Sequence, residues 1–208
     1  MNSFGGLAGY LGVLEVLGGL VTTGSLAALV VIAVVSSRAE PDPTGLRPGT
    51  VYMLATCFIG VLVALLSSIV AVAALISMIG RRVGSGFGTH EVGNQVARIV
   101  VISVLIGGAA AVAFAFHASR ARGAARWELA QLGHPGPVLR VWQSYIAAVS
   151  FVCVGIMSLA AIVGAYQIFR LAGPGIFNGN SHHSVVEVRV LLVSVYALIS
   201  AGVVRLAH

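Results

Sequence analysis

Apolar residues in this chain do not alternate with polar ones at the spacing of a soluble helix or strand. They run on in long blocks, separated by short polar segments. Five blocks stand out, over residues 17–35, 51–79, 97–116, 141–169 and 185–206. About 20 mostly apolar residues carry a helix across the hydrocarbon, so each block predicts a transmembrane helix. The second is long enough to tilt or to extend past the bilayer. The fifth holds Glu187 and Arg189 at its start and Arg205 near its end. Long charged side chains at helix ends reach back to the interface, so these flanks do not veto a span.

The blocks divide the chain into an N-terminal helix (1–36), a polar Pro-containing linker (37–50) and three further parts. These are a first two-helix hairpin (51–117), an Arg-rich connecting loop (118–140) and a second hairpin (141–208). The turns inside the hairpins are rich in Gly and contain His. The expected fold is an all-α integral membrane protein of five transmembrane helices. The first helix is peripheral, and a tandem repeat of the hairpin forms a four-helix core.

The repeat is read from landmarks. At an offset of 93, Tyr52 falls on Tyr145, Phe58 on Phe151, Leu66 on Leu159, Ile69 on Ile162 and Gly80 on Gly173. The second helices align at an offset of 91, with Arg98 on Arg189, Ser103 on Ser194 and His117 on His208. Aliphatic identities arise easily by chance, so the polar and aromatic landmarks carry the case. Two spans per unit give both copies one orientation, with a symmetry axis along the membrane normal. Ser67 and Ala71 in the first copy correspond to Ala160 and Gly164 in the second. Small residues four apart let helices approach closely in lipid, so these faces are expected to turn inward.

Composition agrees with the pattern. Of 208 residues 58% are hydrophobic and 9% are charged, against roughly 25% charged in soluble domains. All the basic residues are Arg, which with the Ala, Gly and Val bias suggests a GC-rich source such as an actinobacterium. The net charge of +6 is read as membrane anchoring rather than nucleic-acid binding, because the arginines lie at helix ends and in short loops. Cys57 and Cys153 fall inside apolar blocks and offer no disulfide or zinc spacing. The first block lacks the basic flank of a signal peptide and is expected to be retained.

Arginine placement suggests an orientation. Arg38, Arg47, Arg120, Arg122, Arg126, Arg140 and Arg205 would share one side; Arg81, Arg82, Arg98, Arg170 and Arg189 would share the other. The excess favours an outside N-terminus and a cytoplasmic C-terminus in a bacterial inner membrane.

Candidate chemistry is sparse. His117 and His208 could ligate a haem between helices, although an interfacial cap is the plainer reading. His90, His182, His183, Glu91 and Glu187 lack the spacing of a tetrahedral metal site. The glycines at 84, 86, 88, 173 and 175 follow an apolar helix rather than a strand, so they read as helix termination and not as a phosphate loop. Glu15 stands alone at the edge of the first block. Arg98, Arg189, Arg81 and Arg82 are the candidate contacts for anionic phospholipids or partner subunits. The sequence offers no nucleophile–base pair, paired carboxylates or nucleotide motif, and no cofactor is expected.

The hairpin starts at an aromatic residue (Tyr52, Tyr145), turns at glycines and ends at a histidine (His117, His208). In this it resembles bacterial membrane domains of unassigned function built from tandem two-helix hairpins, over about residues 51–208. The Trp that would follow the terminal His has no counterpart, since Ala118 follows His117. The resemblance implies a fold and no activity. The expected function is therefore non-catalytic, as an accessory or scaffold subunit beside other membrane proteins. An Mce-type lipid importer is one host in keeping with such a source. Alternatives are a respiratory supercomplex, a b-type cytochrome or a small carrier.

Overall fold

The computed structural model describes residues 41–79, 87–173 and 184–208, with Gly19, Leu26, Val30 and Val34 before them. Four helices cover nearly all of this: α1 (Arg47–Ile76), α2 (Phe87–Leu132), α3 (Pro137–Ala172) and α4 (Ser184–Ala207). Each is long and apolar enough to cross a membrane. In hydrocarbon the backbone must satisfy its own polar groups, which leaves Leu-, Ala- and Val-rich segments of this length no alternative to a helix. The fifth expected span, 17–35, lies outside the described residues apart from those isolated positions.

The helices pack as two hairpins, α1 against α2 and α3 against α4. The hairpins meet through α1, which touches both α3 and α4, and through α2, which touches α3. The core is a stripe on α1 (Leu54, Cys57, Phe58, Val61, Leu62, Leu65, Ile69) facing one on α3 (Tyr145, Ala148, Val149, Val152, Cys153, Ile156, Ala160). Spacings of three and four keep each stripe on one helix face. The flanking helices add Ala118 and Ala121 from α2 and Ala197 and Ala201 from α4 to this core as buried members, with the partly buried Phe114 of α2 and Tyr196 and Leu198 of α4 packed against it. Along its span α2 leaves Val101, Ile102, Val104, Leu105 and Val112 more than half exposed, which is the surface lipid would cover.

The stripes correct the expected register. Both recur at an offset of 91 throughout, the same offset that aligns α2 with α4. At 93 the buried Phe58 (0% exposed) would match Phe151 (70%), and Ile69 (2%) would match Ile162 (67%). Tyr145 (1%) would match Tyr52 (67%). Those identities pair core with lipid-facing positions. Side-chain type says little about which face an apolar residue occupies when lipid and core are equally apolar.

The expected connecting loop over 118–140 is also corrected. Helix α2 runs through it to Leu132, for 46 residues in all, or about 69 Å at 1.5 Å per residue. The hydrocarbon is about 30 Å thick, so the end of α2 continues beyond it as an arm. The arginines of 118–132 made the segment look like a loop. Its residues are nonetheless mostly good helix formers, and Ala118, Ala121, Ala125 and Glu128 form a buried face at helical spacing. The break comes only at Gly133, whose φ of 68° is the left-handed conformation that ends a helix. Its N–H donates to Leu129 O, and Pro137 starts α3 four residues later.

Candidate functional site

The end of the bundle that holds the arm gathers most of the described polar chemistry. There Gly136 is the N-cap residue of α3 and has no side chain to cap it. Glu128 supplies the cap from α2. Its Oε1 accepts from Val138 N–H and its Oε2 from Leu139 N–H, each at 3.0 Å. These are the donors a local cap would satisfy, and the helix dipole favours an anion there. Glu128 is completely buried. A Cβ on Gly136 would overlap the Glu128 carboxylate, so the glycine is what lets the carboxylate in.

The start of α1 uses the same device closer to water. Asp42 Oδ1 accepts from the N–H and hydroxyl of Thr44 and from Gly45 N–H, and its Oδ2 from Arg47 N–H at 3.0 Å. Slight burial pushes the Asp42 carboxyl up. The hydrogen bonds from Arg47, Thr44 and Gly45 outweigh it and hold the group below its ordinary value.

Two histidines sit at this same end in parallel settings. His117 Nδ1 lies 2.8 Å from Ala113 O, and His208 Nδ1 lies 2.9 Å from Val204 O, each one helical turn back. With the proton on Nδ1, the His208 Nε2 accepts from the buried Tyr145 hydroxyl at 3.0 Å. Tyr52 instead approaches His117 edge-on, with ring centroids 6.2 Å apart. Phe114 of α2 packs on the His208 ring. The histidines expected as haem candidates are thus held to their own helices by Nδ1, and His208 is further tied to α3.

Above the first turn of α3, the arm carries Arg122 and Arg126 on one face. With Ala125, Leu129, Leu139 and Trp142 they line a cavity of about 250 Å³. The Arg122 guanidinium lies 5.6 Å from the Trp142 ring centre. On another face of the arm, Arg120 lies over Phe116 at 4.3 Å, and Trp127 is about half exposed.

At the other end of the bundle, Arg189 donates from Nε to Ile79 O at 2.8 Å, and from Nη2 to the same oxygen. This places a cation on the turn that follows the C-terminal end of α1, the end where the helix dipole favours positive charge, and links the two hairpins. Glu187, nearly buried, pairs with Arg170 at 2.9 Å. Arg98 is exposed on α2. Arg81, Arg82, Glu15, His182 and His183 lie outside the described residues, as do the side chains of His90 and Glu91. Among the described residues no three of His, Cys, Asp and Glu come together as a metal-binding group.

The small residues expected at the core take these places. Ser67 faces Gly107, where a Cβ would lie 3.1 Å from the Ser67 Cβ, and Gly164 faces Ser194 at 3.6 Å. Both contacts lie within a hairpin. Ala71 and Ala160 are buried. Sequence reasoning did not single out Glu128, Gly136 or Trp142. The one visible signal was the run Gly133-His134-Pro135-Gly136-Pro137, a helix stop followed directly by a helix start.

Fold and site together define a multi-pass helical membrane protein of two packed hairpins with a basic, capped junction between them. No protein-family model, curated protein or solved structure matches the chain.

Proposed function

We propose that the chain is a non-catalytic accessory or scaffold subunit of a larger membrane assembly, and that its hairpin arose by duplication. The observation that carries this reading is α2. Its span is scarcely buried by the other described helices. It then continues past the apolar run as an arm with Arg120, Trp127 and Gln131 exposed on one face. A helix that packs on α1 by one face and leaves the rest of its span exposed among the described residues, ending in an aromatic and a cation, has the composition of a protein–protein contact. Anionic phospholipids fit the exposed Arg98. The arginine excess at the arm end favours a cytoplasmic position for that end, and for the C-terminus, by the positive-inside rule. Hosts in keeping with this role are an Mce-type lipid importer and, as the alternative, a respiratory supercomplex.

Affinity purification in mild detergent tests the proposal. A reproducible larger assembly is expected, and Trp127→Ala with Arg120→Ala should deplete it while the chain stays folded. Recovery of the chain alone, in a detergent that preserves known complexes of the same membrane, would overturn it.

A further inference from the structure

The cavity between the arm of α2 and the start of α3 has features that partner docking does not use. Arg122 and Arg126 are four residues apart on one helix face, so their charges crowd each other. The neighbouring carboxylate, Glu128, is engaged by the Val138 and Leu139 amides. The Arg170–Glu187 ion pair lies at the opposite end of the bundle. The rest of the lining is Ala125, Leu129, Leu139 and Trp142. One wall is therefore cationic and the other apolar.

Depth within the membrane fixes what such a pocket meets. The apolar run of α2 ends at Phe116, and that of α3 begins at Val141. The pocket lies beside both, with Trp142 at the level where indole rings collect at the membrane–water boundary. We propose that this pocket binds the phosphate of an anionic phospholipid. The two guanidinium groups fork onto the phosphate oxygens, and an acyl chain runs down past Leu139 into the bilayer. A cavity of about 250 Å³ is smaller than the roughly 300–1,000 Å³ of sites that enclose a whole small molecule. It suits a headgroup whose chains stay in lipid. This site stands independently of any larger assembly.

The chain has two tryptophans, so Trp127→Phe leaves Trp142 as a sole reporter. The full-length protein in that background is reconstituted in membranes with a fixed minority of phosphatidylglycerol in phosphatidylcholine. Bromine, which quenches indole on contact, is carried either by the phosphatidylglycerol or by an equal amount of the phosphatidylcholine. Total lipid charge is the same in both samples. Bromine on phosphatidylglycerol should quench Trp142 at least about twofold more strongly, on the scale of attraction that one or two basic residues exert on anionic lipid. Arg122→Gln with Arg126→Gln should erase the difference. Arg122→Lys with Arg126→Lys, which keeps the charge but loses the planar fork, should reduce it. Equal quenching in the parent protein, or a preference that survives the glutamine pair, would overturn the proposal. Loss of the preference on adding inorganic phosphate at constant ionic strength would also overturn it, by showing that a soluble anion is the occupant. If the glutamine pair fails to fold, the parent measurement and the lysine pair still decide.

Discussion

In hairpin 1, α1 fills its buried stripe with Leu54, Cys57, Phe58, Val61, Leu62, Leu65 and Ile69. In hairpin 2, α3 fills the matching stripe with Tyr145, Ala148, Val149, Val152, Cys153, Ile156 and Ala160. Positions are kept while volumes are exchanged: Phe for Val, Leu for Cys, Ile for Ala. The first hairpin closes by backbone approach. A Cβ on Gly60 would lie 3.1 Å from Ala110 O, and one on Gly107 equally near Ser67. The second adds polar ties, from Tyr145 to His208 and from Arg170 to Glu187. Where core and lipid are equally apolar, sidedness comes from shape and from a few hydrogen bonds. Similar changes made in the two hairpins should therefore have unequal effects.

The largest contrast is expected where the first helix of each hairpin begins. Glu128→Gln replaces one carboxylate oxygen with an N–H₂ group facing a backbone N–H, in full burial. It should cost about 2–3 kcal/mol, the penalty for a buried donor left unsatisfied beside a lost charged acceptor. Asp42→Asn, near water, should cost about 1 kcal/mol or less. Unfolding by SDS in mixed micelles measures both. Similar losses would show that the buried junction is no more constrained than the exposed one. The Asp42 carboxyl is held below its ordinary value, so its contribution is complete above that value and fades as pH falls through the folded-state value. Asp42→Asn should remove this part of the acid sensitivity.

Next comes Phe58 against Phe151. These two align by identity and differ in burial. In lipid, moving Phe from bilayer to core gains little transfer energy, so Phe58→Ala loses mainly the cavity term. Roughly 100 Å³ of void at about 24 cal/mol per Å³ gives about 2 kcal/mol. Phe151→Ala should cost under about 0.5 kcal/mol, since lipid refills the gap. Equal losses in SDS unfolding would restore the offset of 93 and undo the register given by burial.

How much of this could be read beforehand follows from the same physics. Four spans and their pairing as two hairpins were legible, because length and apolarity are local signals and short turns pair neighbouring helices. The facing of α1 and α3 was not. An amphipathic pattern marks a helix face in water, whereas here both faces are apolar and Phe58 and Phe151 look alike. The arm was hidden by its arginines, which a helix exposes as readily as a loop does. Glu128 was missed because its partners lie ten and eleven residues away, beyond the reach of a local capping signature. Arg189 was legible as a boundary cation, but its seat on Ile79 O depends on how the hairpins meet.

A third contrast sets Gly60 against Gly155, one helix position with a neighbour and one facing open space. The Ala110 carbonyl is backbone and cannot swing aside, so Gly60→Ala must push α1 and α2 apart. A cost of about 1–2 kcal/mol is expected from such overpacking. Gly155→Ala meets nothing within 4 Å and should be neutral, or slightly stabilising through helix propensity. Cysteine pairs placed across α1 and α2 would report the shift as slower crosslinking in the Gly60 variant alone. Unchanged crosslinking there would mean that the two helices are not held at glycine distance.

The smallest effect tests whether the tyrosines belong to one role or two. Tyr145→Phe keeps the buried ring and removes only the hydroxyl that donates to His208 Nε2. A neutral hydrogen bond between helices in a membrane averages about 0.6 kcal/mol, so the loss should be of that size. The His208 ring would keep its Nδ1 bond to Val204 O and lose its tie to α3. The end of α4 should then fray, seen as faster amide exchange over its last turn. Tyr52→Phe removes an exposed hydroxyl from a ring that meets His117 edge-on, so α2 should exchange as before. Equal protection in both variants would mean that the tyrosine and histidine of each hairpin merely sit together at the boundary. Fraying confined to the Tyr145 variant would show that hairpin 2 uses the pair as a latch on its last helix.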